Sequence, residues 1–119
     1  FVRWYAGRHI DFRIELVDVD LENIPEQSVD GALCIHVLEH LRNPTEAFGQ
    51  LHSKLRNGAI MILEAPWGGH PEHLKEAFAD WEEKGGEKLL NREYVMLEKL
   101  SPGIGLSGVY AKSSRHSAR

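Results

Sequence analysis

The stretch Asp30-Gly31-Ala32-Leu33-Cys34-Ile35-His36-Val37-Leu38-Glu39-His40 contains an apolar run that ends abruptly in a cluster of titratable side chains. A short apolar run opened by an acid is typical of a strand buried on both faces of a parallel sheet. The carboxyl end of such a strand borders the crevice in which open α/β sheets bind ligands. We therefore expect residues 29–35 to form a buried strand and the polar residues after it to border a site.

A helix and a second apolar strand follow this stretch. The pattern Asn43-Pro44-Thr45-Glu46 combines a candidate N-cap, a proline suited to the first turn and the acid of a capping box. It predicts a helix over residues 45–55 that Asn57-Gly58 ends, and residues 59–63 read as a second buried strand. Strand, helix and strand with short connections predict a βαβ unit whose two strands are parallel neighbours.

The rest of the chain carries weaker signals. Strands are predicted at 1–5, 12–19 and 105–111, and helices at 72–84, ended by Gly85-Gly86, and at 92–100. The expected organisation is one α/β domain over residues 1–112 and a disordered Ser-rich tail over 113–119. Because the chain starts with apolar Phe1 rather than Met, we expect the domain to be cut from a larger one.

Composition restricts the classes of function. The chain has 119 residues, 42% of them hydrophobic and 27% charged, with a formal net charge of -4. The interspersed charges argue against a nucleic-acid surface, which would show a clustered basic face. The single cysteine cannot form an internal disulfide, and no apolar run approaches the roughly 18 residues of a membrane span. We expect a cytoplasmic protein with neither a nucleic-acid nor a membrane partner.

Several short segments occur in a fixed order along the chain. They are Asp20-Leu21-Glu22-Asn23-Ile24-Pro25, Ser28-Val29-Asp30, Cys34 to Pro44, Leu55-Arg56-Asn57-Gly58-Ala59 and Glu64-Ala65-Pro66. Together, over about residues 15–66, they resemble the second half of a class I S-adenosylmethionine-dependent methyltransferase. The resemblance implies a partial Rossmann-like, doubly wound and mostly parallel sheet with helices on its faces. It also implies methyl transfer from S-adenosylmethionine to a small or unidentified acceptor.

One motif of that family is missing from the sequence. The glycine-rich loop that approaches the cofactor's methionine portion does not occur in residues 1–119. We therefore expect methyl transfer only as part of a longer chain, or else a catalytically silent remnant that serves as an interaction module. The strand that belongs beside residues 30–36 would also be lost, and the sheet edge so exposed invites self-association.

The resemblance assigns candidate cofactor-binding residues. Asp20 matches the acid that accepts a hydrogen bond from the adenine amino group, and Leu21 matches the residue that covers the adenine. Cys34 and Ile35 stand where the family presents backbone groups to the methionine part. The alternatives are a turn cap for Asp20, core packing for Leu21 and a plain small buried residue for Cys34.

Histidines and a tryptophan supply the candidate catalytic and acceptor residues. Methyl transfer from a sulfonium needs a base only where the acceptor carries a proton, and His36 is a candidate for that base. The alternative is a histidine held by local hydrogen bonds, which is also the interpretation of His40. Trp67 and His70 follow the second strand, where the family often builds its acceptor pocket; the alternative is that they belong only to a surface connection.

The segment His36-Val37-Leu38-Glu39-His40 also matches the H-x-x-E-H pattern of one class of zinc hydrolase. In that pattern two histidines one helical turn apart bind zinc and the glutamate activates water. The motif needs helix throughout, whereas strand is predicted up to residue 35. A zinc hydrolase is therefore the less favoured alternative, and no metal ligands are assigned.

Overall fold

The computed structural model of the protein describes residues 20–67, 75–101 and 105–113. Its strands and helices, in chain order, are β1 (Val29–Ile35), α1 (Pro44–Lys54), β2 (Leu55–Ala65), α2 (Lys75–Glu83), α3 (Gly86–Glu93), β3 (Tyr94–Lys99) and β4 (Leu106–Lys112). Short 3-10 helices cover Leu21–Asn23 and Leu38–His40. The strands predicted at 1–5 and 12–19, residues 72–74 of a predicted helix, and residues 114–119 of the predicted tail lie outside the described residues.

The strands form one sheet in the order β1-β2-β4-β3. β1 and β2 are parallel neighbours, with Cys34 opposite Leu63, while β4 is antiparallel to both β2 and β3. Three strands therefore run in one direction and β4 runs against them. The expected α/β class is confirmed, and the sheet is compatible with a partial Rossmann-like fold, with one parallel and two antiparallel strand pairings. The βαβ unit is confirmed too, and β4 supplies the predicted last strand.

The helix predicted over residues 92–100 is wrong. The structure ends α3 at Glu93 and makes Tyr94–Lys99 an antiparallel partner of β4. The sequence misleads here because β3 is mostly exposed and carries an irregularity between Met96 and Glu98, so it shows no alternation of apolar and polar residues. Pairing with β4 overrides the helix preference of its Met, Leu, Glu and Lys side chains.

The core lies on one face of the sheet. Cys34 on β1 and Met61 on β2 pack there in one cluster with the helix residues Phe48 and Trp81. On the other face Leu33 is 73% exposed and Ile35 is 46% exposed. The expectation that β1 is buried on both faces is therefore wrong for the described residues, because α1, α2 and α3 contribute buried side chains to the same cluster.

The N-terminus of α1 is capped from another helix. The peptide N–H of Thr45 donates to Oδ1 of Asp80 on α2 at 3.0 Å, and Oγ1 of Thr45 donates to the Asp80 carbonyl at 3.1 Å. The predicted capping box is wrong, since Asn43 makes no side-chain cap bond and instead donates from Nδ2 to Glu46 at 3.0 Å. Asp80 thus satisfies a helix donor and joins α2 to α1.

Phe48 is the residue on which the packing of α1 depends most. It is fully buried, and its ring centroid lies 5.3 Å from that of Trp81 and 5.8 Å from that of Tyr94. We expect Phe48→Ala to lower the free energy of unfolding by about 3–5 kcal/mol, because it removes both ring contacts and leaves a cavity. The half-buried Leu51 should tolerate the change to Ala at a lower cost.

Urea titrations of the two variants and the unchanged chain measure these differences. Gln50→Ala is the matched control, since this exposed residue on the same helix should change stability by only about 0.5 kcal/mol or less. A larger loss for Leu51→Ala than for Phe48→Ala would contradict the packing described above.

Candidate functional site

The carboxyl ends of β1 and β2 meet at one edge of the sheet. Ile35 is paired with Glu64, and the peptide N–H of His36 donates to the Glu64 carbonyl at 2.8 Å. His36 is thus the first residue beyond β1 and stays attached to the end of β2. Because parallel neighbours end at the same edge, the side chains of His36 and Glu64 are brought together there.

His36 and Glu64 form a side-chain hydrogen bond at this edge. His36 has a positive φ of 55°, a left-handed conformation that turns the chain sharply after the strand. Its Nε2 lies 2.7 Å from Oε1 of Glu64, with the two side chains 55% and 32% exposed. An ionised carboxylate only accepts hydrogen bonds, so Nε2 carries the hydrogen and a neutral ring keeps a proton-accepting Nδ1. The pair can therefore remove a proton from a bound molecule.

The sequence suggested His36 but assigned no role to Glu64. A signal was present, since Glu64 ends the strand predicted to lie beside β1. Turning that signal into a contact required the strand register, which pairs Glu64 with Ile35. Sequence reasoning did not specify that register to one residue.

The zinc motif is not formed in the described residues. His36 has a left-handed backbone and only Leu38–His40 are helical, in a 3-10 turn, so the α-helical spacing that H-x-x-E-H needs is absent. Glu39 is fully buried, with Oε2 3.8 Å from Nε2 of His40, while His36 bonds to Glu64 instead. Within residues 20–67, 75–101 and 105–113, no group of three or more His, Cys, Asp or Glu side chains is placed to hold a metal ion.

A small cavity opens between the end of β1 and helix α1. Its volume is about 230 Å³, and its lining is almost entirely apolar. The lining residues are Leu21, Leu33, Cys34, Val37, Leu38, Ala47, Phe48 and Leu51. Two of the predicted cofactor-binding residues, Leu21 and Cys34, are thus brought together although they are distant in sequence. An apolar cleft of this kind can take one face of a planar ring.

The other two predicted cofactor-binding residues lie outside that lining. Asp20 directly precedes Leu21, is exposed, and accepts at its carbonyl from the N–H of Asn23 at 3.0 Å. Its carboxylate makes no cap bond to the 3-10 helix that it precedes. Ile35 is adjacent to Cys34 on the strand and its side chain is 46% exposed, on the sheet face opposite the buried Cys34.

The buried thiol of Cys34 is unreactive and serves in packing. Burial, together with the nearby carboxylate of Glu39, raises the pKa of this thiol to about 11. A thiol with this pKa is neutral at physiological pH, and the thiolate is the reactive form. Cys34 therefore contributes shape to the cavity wall rather than a nucleophile.

Trp67 stands two residues beyond the end of β2. Its ring centroid lies 5.8 Å from that of Phe78 and 5.9 Å from that of Trp81, both on α2. Beside these rings is a second cavity of about 510 Å³. The sequence placed Trp67 near an acceptor pocket, but it assigned Phe78 and Trp81 only to the helix predicted over residues 72–84. His70 lies outside the described residues.

The chain matches a known protein family. Residues 4–90 match the family described as methyltransferase domain, which is well over half of the chain. The chain belongs to the methyltransferase domain family, and its resemblance to class I S-adenosylmethionine-dependent methyltransferases is confirmed. A search of curated proteins finds no match. No helix in the described part of the chain is both long and apolar enough to cross a membrane.

The burial of Cys34 predicts that its thiol reacts slowly in the folded protein. Because its pKa is raised to about 11, the folded protein should react with iodoacetamide at pH 8 far more slowly than the urea-unfolded chain. Glu39→Gln should lower the thiol pKa, since it removes a nearby negative charge and keeps the side-chain shape. Mass spectrometry over a time course measures both rates. Equal rates for the folded and unfolded chain would contradict the placement of Cys34.

Proposed function

We propose that the chain contributes to methyl transfer from S-adenosylmethionine, with the carboxyl ends of β1 and β2 forming part of the site. The observation that carries this proposal is the meeting of Leu21, Cys34 and the His36–Glu64 pair around one sheet edge. The family match supports it, because methyltransferase domains generally use this cofactor. When bound, the cofactor supplies an activated methyl group on a sulfonium, so that positioning provides most of the catalysis.

The apolar cavity suits the adenine end of the cofactor. Leu21 would cover the ring, and the exposed carboxylate of Asp20 beside it would accept from the adenine amino group. A hydrogen bond to a charged acceptor stabilises a complex by about 1.5–3 kcal/mol. We assign Cys34 and Ile35 to the strand end near the methionine part, with Ile35 contributing backbone rather than its side chain.

His36 would act as the base for acceptors that carry a proton at neutral pH, with Glu64 as its positioning residue. The support is the 2.7 Å contact, which fixes the ring through Nε2 and leaves Nδ1 to accept a proton. Trp67 and His70 would contribute to the acceptor side. The acceptor is a small molecule in this proposal, in keeping with the modest size of the cavities.

Cofactor binding is the first test. We expect the 119-residue chain alone to bind S-adenosylmethionine with a Kd of about a millimolar or weaker, since no glycine-rich turn holds the methionine end. The same chain supplied with an N-terminal strand and glycine-rich turn should bind it about a thousandfold more tightly. In that longer protein, Asp20→Asn should weaken binding about tenfold by calorimetry.

Glu22→Gln is the matched control, because this exposed acid lies in the same turn and should leave the affinity unchanged. Micromolar binding by the 119-residue chain alone would overturn the expected dependence on the missing turn. No binding by the longer protein would favour the alternative function, a silent interaction module that keeps the βαβ scaffold.

The role of His36 is tested in the longer protein by following S-adenosylhomocysteine release with a panel of amines, phenols and thiols. His36→Asn should slow turnover about 10²- to 10⁴-fold for acceptors that carry a proton, because the base is lost. Asparagine tolerates the left-handed backbone at this position, so the fold should be kept. Cofactor affinity should not change.

His36→Gly provides a sharper variant, since glycine adopts this φ freely and leaves room for a small molecule. Added imidazole should restore part of its activity, whereas a purely structural histidine would not be replaced in this way. Glu64→Gln should lower kcat with little change in KM. Full activity of His36→Asn toward every protonated acceptor would exclude the base role.

A further inference from the structure

The second cavity is lined by both aromatic rings and carboxylates, a combination that methyl transfer alone does not require. We propose that this space of about 510 Å³, here called the aromatic cavity, binds the methyl acceptor through a compact organic cation such as an alkylammonium group. Its lining includes Trp67, Phe78 and Trp81 together with charged side chains from α2 and α3. The assignment of the bound cation as the acceptor rests on the proposed function, whereas binding of a cation does not.

Three aromatic rings lie close together beside the aromatic cavity. Trp67 is tilted by 44° to Phe78 and by 39° to Trp81, with centroids 5.8 Å and 5.9 Å apart. Phe78 is 40% exposed and Trp67 is half-buried, so these two rings offer the aromatic surface that a ligand can reach, while the buried Trp81 packs against Trp67. An organic cation is attracted to the negative faces of aromatic rings within about 6 Å, and tryptophan is the best partner.

The charges around the aromatic cavity favour a positive ligand. Among the described residues that line it, Glu82 and Glu87 are opposed by one cation, Lys88. Nε1 of Trp81 donates to Oε2 of Glu87 at 2.8 Å, which holds one carboxylate at the cavity wall. A neutral apolar ligand would gain nothing from these carboxylates, while an ammonium ligand is attracted to both the rings and the acids.

The wall is preformed. Trp81 is only 1% exposed, and a Cβ at Gly86 would lie 2.3 Å from its ring, so the ring rests directly on the backbone where α3 begins. On another side the ring meets Phe48 edge to face at 5.3 Å. Because these contacts and the bond to Glu87 fix Trp81, a ligand would not have to order this part of the wall.

The test compares choline with 3,3-dimethylbutan-1-ol, which has the same shape but carries carbon in place of the charged nitrogen. Each is titrated into the 119-residue chain by NMR, with the tryptophan indole signals as reporters. We expect choline to bind at least about tenfold more tightly than the neutral alcohol. Trp67→Leu and Glu87→Gln should each weaken choline binding about tenfold, the second while keeping an acceptor for Trp81.

Two controls separate binding from folding. Glu83→Gln removes an exposed acid that belongs to α2 but lies outside the cavity lining, and it should leave choline affinity unchanged. Trp67→Phe keeps an aromatic face and should retain more affinity than Trp67→Leu. Thermal unfolding of each variant shows whether the fold is kept.

Equal binding of choline and the alcohol would overturn the proposal and identify a merely apolar pocket. The proposal would also be overturned if choline affinity were unchanged in both Trp67→Leu and Glu87→Gln. It would be overturned too if the unchanged chain did not bind choline. The cofactor titrations test different residues in the longer protein, so the two failures are distinguishable. Choline binding without S-adenosylmethionine binding would keep the cation site and reject its assignment to a methyl acceptor.

Discussion

The candidate site depends on the parallel pairing of β1 with β2. This pairing sets Ile35 opposite Glu64 and lets the N–H of His36 donate to the Glu64 carbonyl at 2.8 Å. Parallel neighbours must end at the same edge, whereas an antiparallel pair would place His36 and Glu64 at opposite ends of the sheet. Helix α1 makes the parallel arrangement possible, because it carries the chain back from the end of β1 to the start of β2.

Strong local patterns made part of the fold predictable. The apolar run at 29–35 and the Asn43-Pro44 signal agree with β1 and with α1 to within one residue at each end. β3 was not predictable in the same way, since it is exposed at every position after Tyr94 and contains a register irregularity. Its conformation is set by pairing with β4, which is a tertiary constraint that no local window contains.

The residues of the candidate sites also fall into those that a local pattern predicts and those that only tertiary contacts reveal. Leu21 and Cys34 stand in recognisable motifs, so they could be predicted as cofactor-binding residues from the sequence. The structure places both in one cavity wall. Phe78 and Trp81 carry no motif, and Glu64 stands in a motif that assigns it no role, so the significance of all three arises only from neighbours distant in sequence. The orientation of Trp81 depends on a glycine in the next helix, because any larger residue at 86 would collide with the indole. Helical spacing predicts that Trp81 is buried but not which cavity it borders.

Both candidate sites are joined by one short backbone segment. Glu64 and Ala65 are adjacent on β2 and so point to opposite sides of the sheet, with Glu64 toward His36 and Ala65 fully buried. Two residues later Trp67 forms the aromatic wall. Gly105 has a φ of 110°, and a Cβ there would lie 2.5 Å from the Ala65 carbonyl oxygen and 3.0 Å from Cα of Pro66. Any side chain at Gly105 would therefore displace the segment that carries Glu64 and Trp67, and would disturb both sites together.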